Sequence, residues 1–76
     1  MAKGLLRALG DELRAWRLKR GFSQEELAGK AHLHRNYIGM LERGQRNVTL
    51  LVLQEIAVNL KVTITELISE AERHSR

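Results

Sequence analysis

The stretch Gln24–Leu41, QEELAGKAHLHRNYIGML, reads as two short helices joined by a tight turn. The first opens at Ser23, where S-Q-E-E forms a capping box. The Ser23 hydroxyl is placed to accept the Glu26 amide, and the Glu26 carboxylate to reach back to the Ser23 amide. Leu27, Ala28 and Ala31 then recur at helical spacing on one side. The second helix starts at His34 or Arg35. Its Ile38, Leu41 and Glu42 share one face. At roughly 100° per residue, Asn36, Met40 and Arg43 point the other way. One face therefore suits a core, and the other carries hydrogen-bond donors outward.

The surrounding composition bounds what such a pair of helices can belong to. Seventy-six residues make one domain. A chain this short buries only about 60–65% of the surface its unfolded form exposes, so association with a second copy would add needed stability. The absence of proline, with six glycines, favours helices over a strand-and-turn fold. Net charge is +4, and it is uneven. Residues 1–50 carry ten Lys/Arg against five Asp/Glu, a net +5, and residues 51–76 carry three against four, a net −1. A basic half that contains the helix pair suits a polyanion on one side of the molecule. The chain has no cysteine, which removes disulfide and thiol chemistry and fits a reducing cytoplasm. Near the N-terminus Arg7 and Asp11 interrupt the leucines, so no export signal or membrane span is expected.

Outward from the pair, Leu6, Leu9, Leu13 and Trp16 mark the stripe of an amphipathic helix over about residues 3–20, stopped by Gly21 after Lys19-Arg20. Phe22 then packs back on the next helix. The helices of the pair span about residues 24–30 and 34–43. Gly44 and the polar turn Gln45-Arg46-Asn47 follow. Thr49 caps a fourth helix over 50–60, with Leu50, Leu53, Ile56, Ala57 and Leu60 expected inside. A second capping box, T-I-T-E at Thr63, opens a fifth helix over 64–72 that buries Ile64, Leu67 and Ile68 and frays into a polar tail, Glu70 to Arg76. A strand over Val62–Thr65 would have no partner. The expected class is all-α, one compact five-helix domain over residues 1–76.

The donors on the outward face fit the edges and phosphates of duplex DNA. Arg35 can give two hydrogen bonds to guanine O6 and N7, or it can take a phosphate. Asn36 can pair with the N6/N7 edge of adenine, or serve the helix start. Tyr37 either flanks the core beside Ile38 or lies at the nucleic acid. Gly39 costs roughly 0.5–1 kcal/mol against alanine in a helix. It serves close backbone approach to DNA or marks a site that needs no side chain. Met40 can touch a thymine methyl or sit at the rim. Gln24, at the amino end of its helix, adds an amide donor where a phosphate is already attracted. Arg43, Gln45, Arg46 and Asn47 place two cations and two amides in a short run suited to clamping the backbone. Glu42 faces inward, where a lone carboxylate would be costly and needs a cation.

Catalysis is not expected. The chain has a single aspartate, and its serines read as caps or tail residues. His32 and His34 do not share a helical face, and His74 lies in the tail, so no metal site and no cofactor are expected.

Ala28, the turn Ala31-His32-Leu33, and Ile38 with Leu41 resemble the helix-turn-helix of phage repressor/Cro-like (XRE-type) regulators, the lambda-repressor-like DNA-binding fold. The string LHRNYIGMLERGQRNVTL, Leu33 to Leu50, is similar to the controller proteins of bacterial restriction–modification systems. The resemblance covers about Leu13 to Leu67. One residue departs from the pattern: the family usually has glycine in the turn where this chain has His32, and that position needs a positive φ, which His tolerates at modest cost. The resemblance implies a base-reading role for Arg35, a place at the DNA for Tyr37, and a phosphate or base-edge role for Gln24. It also implies an ion pair between Glu42 and Arg17.

The expected function is a sequence-specific, cytoplasmic bacterial transcription regulator that binds a palindromic double-stranded operator as a homodimer. The DNA-facing set is Gln24, His34, Arg35, Asn36, Tyr37, Gly39, Arg43, Gln45, Arg46 and Asn47. The dimer surface is Leu51, Val52 and Val58 with the loop before the fifth helix, because no sixth helix is available to cover them; the alternative is that they complete the core. Control of its own gene and of a restriction endonuclease follows from the resemblance alone, as does RNA polymerase as a further partner. A phage-type repressor, or an antitoxin-like module whose main partner is a protein, are the other readings.

Overall fold

The structure, a computed structural model, describes residues 2–75, and the side chains of residues 4–75. Five helices follow in order: α1 Ala2–Lys19, α2 Gln24–Lys30, α3 Arg35–Glu42, α4 Leu50–Leu60 and α5 Ile64–Ser75. There is no strand among the described residues. Helix α1 runs against both α5 and α3; α2 packs on α3 and α4; α4 meets α5. Leu27, Ile38, Ile56, Leu60 and Leu67, contributed by α2 to α5, are fully buried at the centre, with Leu9 and Leu13 of α1 beside them.

Local chemistry starts and stops these helices. Ser23 Oγ accepts the Glu26 amide at 3.0 Å while the Ser23 amide donates to Glu26 Oε1 at 2.8 Å. Thr63 and Glu66 repeat the arrangement at the head of α5, at 3.0 and 2.9 Å, and Thr49 Oγ1 accepts the Val52 amide at 3.1 Å. The first four helices all close in the same way. An amide two or three residues past the helix end reaches back to a carbonyl five residues earlier, as in Phe22 to Arg17, Leu33 to Ala28, Gln45 to Met40 and Val62 to Ala57. That closure needs a left-handed residue just before the reaching amide. Gly21 and Gly44 fill it at φ 78° and 71°, and His32 fills it at φ 58°, as its place in the turn requires. The fourth is Lys61, at φ 60°, which no sequence signal marks. Arg20 Nε, donating to Leu60 O at 2.7 Å, ties that helix end to the end of α1.

Four expectations need correction. Leu6 is only half-buried and lies over the Gly44–Asn47 turn, and the inward face of α1 is carried by Ala8, Leu9, Leu13 and Arg17. Leu50 is 67% exposed rather than buried. It sits in the first turn of α4, off the centre of the Leu53–Ile56–Ala57–Leu60 stripe, where no neighbouring helix reaches it. Val52 is half-buried and packs on the core, so it does not belong with the exposed residues. The fifth helix does not fray at Glu70. It continues to Ser75, because Ala71 is wholly buried and anchors the extra turn; Arg76 lies outside the described residues.

Two glycines set how closely the helices approach. A Cβ on Gly10 would collide with the carbonyl oxygens of Leu41 and Glu42, so α1 and the end of α3 touch backbone to backbone. A Cβ on Gly44 would lie 2.8 Å from Arg7 Cα. Together these approaches fix the carboxyl end of α3 against α1 and so orient the outward face of α3.

Candidate nucleic-acid interface

Helix α3 is held from beneath by an ion pair. Arg17 Nε donates to Glu42 Oε2 at 2.6 Å and Arg17 Nη2 to Glu42 Oε1 at 3.1 Å. Nη1 of the same guanidinium donates to Phe22 O at 2.9 Å. Arg17 is 7% and Glu42 5% exposed, so the fork-to-carboxylate pairing takes place away from water, where an unpaired charge would be costly. Gln24, the first residue of α2, adds a bond that sequence reasoning missed: its Nε2 donates to Glu42 Oε1 at 3.0 Å. Residues 24 and 42 lie far apart in the chain, and no periodicity or motif links them.

At the other end of α3 the cap is His34, whose Nδ1 accepts the Asn36 amide at 3.1 Å. This leaves Nε2 as its outward atom. Arg35 and Asn36 follow in the first turn, both exposed. Gln24, Arg35, Asn36, Gly39, Met40 and Arg43 line one open cleft along the outward side of α3. Met40, expected at the rim, is part of its wall. Gly39 is buried. A Cβ there would lie 3.2 Å from Arg43 Nη1 and 3.6 Å from Gln24 Oε1. The glycine makes room for the Arg43 guanidinium, while Gln24 lies at ordinary contact distance.

Tyr37 separates this cleft from a second one. Its ring is half-buried against the core, its hydroxyl donates to Asn47 O at 3.4 Å, and the Arg46 guanidinium stands 5.4 Å from its ring centre. The ring thus flanks the core, and the hydroxyl reaches the turn after α3. The second cleft is lined by Leu6, Gly44, Gln45, Arg46 and Asn47. Arg43 Nε donates to Gln45 Oε1 at 2.9 Å and joins the helix end to the turn. The structure thus gathers Gln24, Arg35, Asn36, Gly39 and Arg43 in one concavity, and Gln45, Arg46 and Asn47 in its neighbour. Leu51 and Val58, with Leu50 beside them, are 76%, 66% and 67% exposed on α4. Next to Val58 a notch is lined by Ala57, Val62 and Ile64 at the start of α5.

A larger hollow of different character lies between α1 and α5, with Trp16 among its walls and Glu12, Glu66 and Glu70 at its edge. Glu12, Glu70 and His74 bring three ligand-type atoms within 4.8 Å of one another there. Glu70 is already engaged with its helix neighbours, Arg73 at 2.9 Å and His74 at 3.5 Å. Among the described residues, no helix is long and apolar enough to cross a membrane.

Comparison with known proteins matches this geometry. A helix-turn-helix family model covers residues 13–67. The control protein C.SmaI of Serratia marcescens is 41% identical over 61 residues, spanning 80% of this chain and 73% of its own. Among solved structures, the restriction–modification controller protein C.AhdI from Aeromonas hydrophila superposes with a TM-score of 0.80 at 44% identity, over 82% of this chain and 94% of its own. The controller protein C.Esp1396I, solved as a tetramer in complex with its natural 35 base-pair operator, superposes with a TM-score of 0.81 at 32% identity, over 93% of each chain.

Proposed function

The chain belongs to the helix-turn-helix family, and on that premise we propose that it is a sequence-specific DNA-binding regulator of transcription, acting as a homodimer to control restriction–modification genes, its own among them. The observation that carries this reading is the exposed, donor-rich face of α3, with Arg35, Asn36 and Arg43 meeting Gln24 in one open cleft built from the basic half of the chain. The controller proteins that the chain resembles, one of them solved on its operator, support it.

In this mechanism α3 enters the major groove. Arg35 gives paired donors to a guanine edge and Asn36 reads an adenine. Arg43, Gln45, Arg46 and Asn47 hold phosphates on either side, and the bond from Tyr37 to Asn47 keeps the turn in register with the helix. The exposed Leu50, Leu51 and Val58 join two copies, so that the recognition helices fall about one helical turn apart, roughly 34 Å, on a two-fold site. Occupancy then rises steeply with protein concentration, which makes dimerisation a timing device.

A gel-shift titration on the DNA upstream of the protein's own gene, with excess non-specific competitor, tests the reading. Wild type is expected to give a competitor-resistant shift that Arg35→Ala loses while keeping its helical circular dichroism. Binding that competitor abolishes in the wild type would sink it.

A further inference from the structure

We propose that Glu42 is a positioning residue for DNA contact, acting through Gln24: beyond its ion pair, it locks the Gln24 side-chain amide in one orientation and aims what remains of that amide into the recognition cleft. The inference rests on the DNA-binding reading above.

Arg17 alone satisfies the charge of Glu42, with two donors on the two carboxylate oxygens at 2.6 and 3.1 Å. Gln24 Nε2 is a third donor, at 3.0 Å on the Oε1 that Arg17 Nη2 also uses. An ionised carboxylate only accepts hydrogen bonds, so the amide must turn a nitrogen toward it; the flipped amide would set a carbonyl oxygen against the carboxylate and lose a charge-assisted bond. The orientation of Gln24 is therefore set by the buried pair. Its other N–H and its carbonyl oxygen are left for the cleft, among Arg35, Asn36 and Arg43. Gly39 lies beside the arrangement: a Cβ there would crowd Arg43 Nη1 at 3.2 Å and would stand in ordinary contact with Gln24 Oε1 at 3.6 Å. The free N–H is a donor for an acceptor on the duplex, either a phosphate oxygen or a base edge. Having it fixed before binding spares the ordering of a mobile side chain, an effect of about two- to ten-fold in affinity.

The test is a double-mutant cycle read by fluorescence anisotropy on two duplexes of equal length, the upstream DNA and an unrelated sequence. It uses wild type, Gln24→Ala, Glu42→Gln and the double variant. Glu42→Gln keeps the shape and a carbonyl for Arg17, but its amide can turn either way and no longer dictates the orientation of Gln24. It is expected to weaken binding about two- to ten-fold when Gln24 is present and to change nothing in the Gln24→Ala background. An equal loss in both backgrounds would mean that Glu42 acts only through the fold, and overturns the proposal. A Gln24→Ala loss that is equal on both duplexes, with a shallower salt dependence, assigns the free N–H to a phosphate; a loss confined to the upstream duplex assigns it to a base. Either assignment is compatible with positioning by Glu42, which is supported when the Glu42→Gln loss requires Gln24. Wild type that fails to distinguish the duplexes overturns the DNA-binding reading itself. Should Glu42→Gln not fold, side-chain amide exchange in wild type decides. One Gln24 N–H protected about ten-fold over those of exposed Gln54 supports the lock, and equal exchange refutes it.

Discussion

Arg17 uses its guanidinium at three points on two other segments, both oxygens of Glu42 and the carbonyl of Phe22. It therefore joins α1, α3 and the entry to α2. Removing one member of a buried pair strands the other charge, at a cost of about 3–5 kcal/mol. That is a large part of the roughly 4–11 kcal/mol typical of a chain this size. Arg17→Ala is expected to lower the urea midpoint by a corresponding amount, and more than it changes base preference; an unchanged midpoint would refute the structural reading. His32 and Lys61 make a second point at this scale. Both are left-handed without being glycine, and both persist because the backbone bonds on either side close a helix. His32 was legible because its neighbours form a recognisable turn. Lys61 was not, since its conformation is held by Arg20, forty residues earlier than Leu60, whose carbonyl it bonds.

At the scale of elements, the capping boxes at Ser23 and Thr63 start α2 and α5 with the same reciprocal bonds. The backbone amide of Ser23, and next its hydroxyl, hold the Glu26 carboxyl below its ordinary range; Thr63 does the same for Glu66. The sign of the linkage follows from that depression. The stabilisation is fully present above the unfolded-state pKa of about 4.3 and is lost as pH falls through the lowered folded-state value. Helical circular dichroism followed from pH 6 downward should therefore decline below about pH 4. The variant carrying Glu26→Gln and Glu66→Gln should start lower and lose less over that window. Equal acid-induced losses in both proteins would show that these caps do not set the acid limb.

At the scale of the whole molecule, the proposed function gives the basic half and the exposed apolar residues of α4 different partners. Leu50, Leu51 and Val58 are exposed on α4, and Val58 lines the notch at Val62 and Ile64, on a chain that buries only about 60–65% of its surface alone. Burying them against a second copy would stabilise the fold by mass action and bring two recognition helices to one operator. Leu51→Glu is expected to give a folded monomer in sedimentation at concentrations where wild type is a dimer. Its affinity for a two-fold site should fall more than about ten-fold while a single half-site is bound as before. A dimer that survives this change would move the interface elsewhere.

The sequence by itself determined the presence of the five helices, most of their caps and the helix-turn-helix. Those features rest on hydrogen bonds and periodicities within five or so residues, as in S-Q-E-E at Ser23, the turn at His32 and the stops at Gly21 and Gly44. It also separated the inward face of α3, Ile38, Leu41 and Glu42, from the outward one, because 3.6-residue periodicity fixes relative directions within a helix. Tertiary structure alone decided what covers each apolar residue at a stripe's edge. Leu50 was left in solvent, Leu6 was drawn over the Gly44 turn, and Ala71 was buried so that α5 runs on to Ser75. It alone decided the backbone contact at Gly10 and the bond from Gln24 to Glu42. The reason is common to all of these. Each depends on how two or three helices pack across long stretches of chain, and pattern within a single helix carries no information about the distance to its neighbour.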